Sequence, residues 1–129
     1  MANLSKAKGT RWESAVVEYL RARHLDARRK VQTGGADQGD ISIEEMPFLV
    51  IEAKAGKSYD LAGWLAEANA EAINAGASVG VVFAKRRGKT SPGDGYVVTD
   101  GDTFCELLRR FTALEAALVD AHTEAGMRR

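Results

Sequence analysis

The chain has 129 residues, 45% hydrophobic and 28% charged, with 18 basic side chains balanced by 18 acidic ones. That length and apolar content suit one domain spanning 1–129 with a core of its own, about 6–112, and a C-terminal helix, about 113–125. The lone Cys105 excludes an internal disulfide and fits a reducing compartment, and no apolar run approaches the roughly 20 residues that span a bilayer.

The polar opening MANLSKAKGTR lacks a signal-peptide core, so no membrane partner and a cytoplasmic location are expected. Zero net charge hides an asymmetry. Through Lys30 there are eight basic residues against three acidic, which permits a basic surface and a phosphate-bearing partner on a neutral protein. A solvated helix face is the plainer account of the same residues.

Periodicity predicts a helix from about Lys8 to His24 with Trp12, Val16, Tyr19 and Leu20 on its apolar arc and Arg11, Ser14, Glu18 and Arg21 off it. Glu13 falls inside the arc. A carboxylate on a core-facing stripe is costly unless something pairs with it, so Glu13 either meets a nearby Lys or Arg or has a catalytic role. Asp26 to Gln32 predicts a first strand carrying Arg28, Arg29 and Lys30, and the Gly-rich loop from Thr33 to Gly39 follows. Basic residues at the root of that loop suit contact with a phosphodiester backbone; an ordinary connection is the competing account.

From Gly39 to Lys54 the chain reads as two strands and a turn. Asp40 to Ile43 alternates polar and apolar, Glu44 to Pro47 punctuates, and Phe48 to Ile51 is a continuous apolar run ending in Glu52-Ala53-Lys54. Glu52 and Lys54, two apart on a strand, share a face. A hairpin symmetric about Met46 sets Asp40 opposite Glu52, with Cβ atoms about 4.5–5.5 Å apart, close enough to grip one cation beside a lysine. A one-residue slip would put Asp40 on the other face.

A turn and cap region at 55–60, including Lys57, leads to a helix from Leu61 to Ala75 with Leu61, Trp64, Leu65, Ala68 and Ala72 on its apolar face and Gly76 as its stop. Ser78 to Lys85 is a buried strand running into the basic loop of Arg86, Arg87 and Lys89. Gly88-Lys89-Thr90 has the end of a P-loop, but that motif needs a glycine where this chain has Phe83, and Ser91-Pro92-Gly93 follows instead of a helix. No nucleotide cofactor is expected. Gly95 to Thr99 is a short last strand. A helix from Thr103 to about Arg110 follows, capped by Asp102 or Thr103, with Phe104, Leu107, Leu108 and Phe111 facing the core and Cys105 as a core neighbour.

A helix bearing Glu13, then Asp40, then Glu52-Ala53-Lys54 resembles the PD-(D/E)xK nuclease superfamily. Within it, roughly residues 6–85 are similar to the archaeal-type Holliday junction resolvases and their phage relatives, on the Lys8-Gly9-Thr10-Arg11 opening, the Gly-rich loop and the absence of a separate DNA-reading domain. The resemblance implies an α/β fold, a mixed central sheet flanked by helices with an αβββαβ core and C-terminal helices. It implies a Mg²⁺ cofactor, with Mn²⁺ as substitute, bound by Asp40, Glu52, the Ala53 carbonyl and, directly or through water, Glu13, with Lys54 beside it. Such ligands suit a hard cation that activates water. Lys8, Arg11, Arg28, Arg29, Lys30, Thr33, Lys57, Arg86 and Arg87 are the expected DNA contacts, and the partner is a four-way DNA junction cut by a homodimer. Gly39 stands where the family name has proline, and where many relatives carry a glutamine on the helix after the E-x-K strand this chain offers Glu67, Asn69 and Glu71, so no auxiliary residue carries over. A nuclease of duplex, flap or single-stranded DNA and a non-catalytic DNA-binding domain are the alternatives. Ala-, Gly- and Arg-rich usage hints at a GC-rich genome such as a phage, whose protein would work in the host cytoplasm.

Overall fold

The computed structural model describes residues 4–31, 35 and 37–127. The chain falls into two compact units, 1–99 and 100–129. The first is an α/β unit with elements α1 (Leu4–Arg21), β1 (Ala27–Arg29), β2 (Ile41–Ile43), β3 (Leu49–Lys54), α2 (Leu61–Asn74), β4 (Val79–Ala84), a 3₁₀ turn (Pro92–Asp94) and β5 (Tyr96–Val98). The second is α3 (Gly101–Met127). Among the described residues no helix is long and apolar enough to cross a membrane.

The five strands form one mixed sheet in the order β1-β2-β3-β4-β5, with β3 and β4 parallel and the other neighbours antiparallel. The parallel pair needs a crossover, which α2 supplies. Both central strands are buried along their apolar stretches, as expected of strands covered on two faces. Alternation along β4 divides the work. Phe83 stacks edge-on against Trp12 of α1 and its carbonyl accepts the Trp12 indole N–H at 3.0 Å, while Val82 and Ala84 pack on Ala68 of α2.

Small residues set the distance between α2 and the sheet. A Cβ added to Gly80 would lie 2.2 Å from the Ala68 carbonyl oxygen, so the Ala-rich helix reaches this depth because Gly80 has no side chain. Asp60 caps α2 by accepting the Gly63 N–H at 3.0 Å, and Gly76, at φ +69°, takes the left-handed turn that ends it. On α1 the buried set is Trp12, Val16, Val17 and Leu20; Tyr19, expected on the apolar arc, is half-buried at its border. Leu61, expected on the apolar face of α2, is exposed at the first position of the helix.

The C-terminal unit departs most from expectation. The two helices expected around 103–110 and 113–125 are one uninterrupted α3, and the boundary expected near 112 falls inside it. No Gly or Pro occurs between Asp102 and Ala125, so nothing in the chain breaks the hydrogen-bond ladder. Its cap is Asp100, whose Oδ1 accepts the Thr103 N–H at 2.7 Å, in place of Asp102 or Thr103. Phe104, Leu108 and Phe111, expected in the core, are exposed, and so is Cys105. The apolar positions Phe104, Leu107, Phe111, Leu114, Leu118 and Ala121 recur at alternating steps of three and four, the spacing of a coiled-coil seam. Phe111 and Leu114 are more than 60% exposed in the single chain.

Candidate functional site

The hairpin register agrees with symmetry about Met46: Ile41 pairs with Ile51 and Ser42 with Val50, which carries Asp40 to the place opposite Glu52. The Asp40 N–H donates to the Ile51 carbonyl at 3.1 Å, and Asp40 Oδ2 accepts the Ala53 N–H at 2.8 Å. The Asp40 carboxylate is thereby fixed by the backbone of the strand that bears Glu52 and Lys54. Of Ala53, then, the amide N–H is what engages Asp40.

Glu52 and Lys54 point to the α2 face. Lys54 Nζ lies 3.3 Å from Glu52 Oε1 and donates to Glu67 Oε2 at 2.7 Å. Glu52 is 5% exposed and its Oε2 has no hydrogen-bond partner. Beyond it lies Glu71 of α2, 1% exposed, with neither carboxylate oxygen partnered. Asp37 on the incoming loop and Glu67 complete the set: one ligand oxygen from each of Asp37, Glu67 and Glu71 lies within 4.8 Å of the others. Gly39, at φ +93°, brings this loop so near that a Cβ there would meet Val50 Cγ1 at 2.1 Å and Glu71 Oε2 at 3.6 Å.

A row of carboxylates with so little positive charge resists ionisation. Burial, with the Glu52 charge adding to it, raises Asp40 to about 7. Burial and the contact with Glu71 raise Glu52 to about 9, against the opposing pull of Lys54. Burial likewise raises Glu71 to about 7, although its contact with Glu52 works the other way. Lys54 is raised because its carboxylate partners outweigh the desolvation that opposes its charge. Such a row is stable with shared protons or with a cation in place of them.

Glu13 approaches from the other side. Its Oε2 pairs with Arg29 Nη2 at 2.8 Å, the ion pair that the sequence offered as its alternative role, and its charge contributes to raising Asp40. It is not one of the carboxylates clustered against α2. Between α1 and β1 lies an open cleft of about 570 Å³ whose lining includes Lys6, Glu13, Arg29, Lys30 and Asp40.

Among the described residues the expected DNA contacts are divided between different clefts and loops. Arg29 and Lys30 line the cleft with Asp40, whereas Lys8 and Arg11 line a separate cleft of about 370 Å³ with Trp12, Lys85 and Thr90. Arg28 is held by Asp26 at 3.0 Å in an exposed pair outside both clefts, because successive strand residues point opposite ways. Lys57, Arg86 and Arg87 gather near Tyr59 and Tyr96: Arg87 donates to the Lys57 carbonyl, and Arg86 lies 6.0 Å from the Tyr96 ring centroid. Thr33 lies outside the described residues.

The sequence offers Glu71 beside Glu67 and Asn69 on α2 and assigns no role to any of them. Its signal was spacing: three residues after Ala68 and seven after Trp64, Glu71 stands on the stripe that packs against the sheet, as Glu13 does on α1. Comparison with known proteins adds nothing to these residues: no family model, no curated protein and no solved structure matches the chain.

Proposed function

We propose that this chain is a divalent-cation-dependent DNA endonuclease that acts as a homodimer on four-way junctions, with Asp40, Glu52 and Lys54 as its chemical centre. The observation that carries the reading is Glu52 itself: a buried carboxylate oxygen without a partner, opposite a second carboxylate and beside a lysine. Asp40 and Glu52 are hard oxygen donors of the kind Mg²⁺ or Mn²⁺ takes together with a substrate phosphate. A cation bound there supplies Lewis acidity at the scissile phosphate and acidifies water.

The chain's own residues do the rest. The Ala53 N–H holds Asp40 in orientation, Lys54 offers its ammonium to the developing negative charge, and Glu67 keeps Lys54 at hand. Arg29 and Lys30, in the cleft with Asp40, steer the phosphodiester backbone, while the Glu13 pairing positions Arg29. Two paired cuts need two centres, and the apolar seam of α3 supports a pair of copies. In a parallel pairing, Arg110 faces Glu115 of a second copy at the flanking positions.

The same chemistry on flap or single-stranded DNA is a second reading, favoured by Tyr59 and Tyr96 beside Arg86, since exposed aromatic rings next to cations stack unpaired bases. Junction, flap and linear duplex compared at matched salt separate the two. Paired nicks in the junction with Mg²⁺ and none with EDTA are expected. Tight junction binding without cleavage under any divalent cation would contradict both and leave a non-catalytic binding domain.

A further inference from the structure

We propose that Asp37, Glu67 and Glu71 form a second divalent-cation site, on the α2 side of the carboxylates assigned to catalysis. It rests on the nuclease reading only in treating Asp40 and Glu52 as a separate, first site.

Three carboxylates close together on a surface would carry no such conclusion. Here the deepest of them, Glu71, is 1% exposed, one of its oxygens belongs to the cluster, and neither oxygen has a hydrogen-bond partner. A buried carboxylate whose close contact is a second carboxyl group, that of Glu52, is a costly arrangement for a fold to hold. The ammonium of Lys54, which pairs with Glu67 of the cluster, is shared with Glu52.

The spacing suits a hard cation. Oxygens that each lie about 2.0–2.6 Å from one ion fall within roughly 5 Å of one another, and the three ligand oxygens lie within 4.8 Å of one another. The second coordination element is a loop already tied down: Asn74 Nδ2 donates to the Asp37 carbonyl at 2.8 Å, and the Gly39 N–H donates to Asp37 Oδ1 at 2.9 Å. A cation there joins α2 to the segment that delivers Asp40, and it shares Glu67 with Lys54. Its role is to set the position of Asp40 and the freedom of Lys54, and not to contact substrate.

The test counts cations without reference to cleavage. Mn²⁺ is titrated into the full chain at pH 8 and the free ion is followed by electron paramagnetic resonance, for wild type, Glu71→Gln, Asp37→Asn and Asp40→Asn, with melting curves to establish that each is folded. Asp37 is exposed, so its variant keeps the test open should Glu71→Gln fail to fold. Two Mn²⁺ per chain are expected for wild type. Glu71→Gln should bind one, Asp37→Asn should weaken one site at least tenfold, and Asp40→Asn should retain the site that those two variants affect. A single wild-type site lost only in Asp40→Asn overturns this inference and leaves the nuclease reading intact. A single site lost only in Glu71→Gln and Asp37→Asn upholds it and removes the assigned catalytic cation. No binding at all overturns both.

Discussion

Asp40 and Glu52 face each other at the end of the β2–β3 ladder, in a register set by the Ile41–Ile51 and Ser42–Val50 pairs, and Asp40 is held by the amide of Ala53, the residue between Glu52 and Lys54. Backbone hydrogen bonds therefore fix the register of the two residues and the orientation of the Asp40 carboxylate. Mutual repulsion and burial are the cost of that register.

The cost appears in the dependence of stability on pH. Asp40, Glu52 and Glu71 bind protons more tightly folded than unfolded, with values of about 7, 9 and 7. Their favourable contribution is complete below the unfolded range near 4 and is lost as pH rises through the folded values. In EDTA the melting temperature should fall steadily from about pH 5 to pH 9, and Mg²⁺ should restore more of it at pH 9 than at pH 6. Glu71→Gln should raise cation-free stability at pH 8 by about 1–3 kcal/mol, because an amide replaces a buried charge. A flat profile in EDTA would contradict the carboxylate row.

Gly80 tests the packing that seats α2. Its missing side chain leaves room for the Ala68 carbonyl, and a methyl group would stand 2.2 Å from that oxygen. Gly80→Ala should cost about 1–3 kcal/mol by overpacking, read from urea unfolding. It should also weaken cation binding, since α2 carries Glu67 and Glu71.

Arg29 and Arg28 are neighbours in sequence with different prospects. Arg29 lines the cleft with Asp40, while Arg28 is paired with Asp26 outside it. Arg29→Ala should weaken DNA binding across sequences and reduce the salt slope by about one. Arg28→Ala should change either by much less.

The seam of α3 predicts the oligomeric state. Phe111→Glu places a charge on each copy where the apolar positions meet, so native mass should shift from dimer to monomer at micromolar chain. A monomeric wild type would remove α3 as the basis of the homodimer.

Much of the α/β unit was legible because its signals are local. Alternation in Asp40 to Ile43, the apolar run ending at Ile51 and the punctuation between them fixed both strands and their register, and with them the meeting of Asp40 with Glu52. What escaped depended on contacts distant in sequence. Glu71 stands beside Glu67 and Asn69 on an Ala-rich helix with no motif in the sequence to choose among them, and only the sheet beneath shows that its carboxylate is enclosed. Glu13 was legible as a carboxylate needing a partner, but the partner, Arg29, lies on another element. In α3, apolar periodicity alone fits a core face as well as a seam, and the single chain leaves that face exposed.

The most direct measurement is cleavage of a labelled four-way junction in Mg²⁺ by wild type beside Glu52→Gln, both shown folded. The account predicts that wild type cuts at paired positions, that EDTA abolishes the cuts, and that the variant loses at least about a hundredfold in rate. Wild-type cleavage by Glu52→Gln, or no cleavage by the wild-type chain on any DNA substrate with any divalent cation, would contradict it.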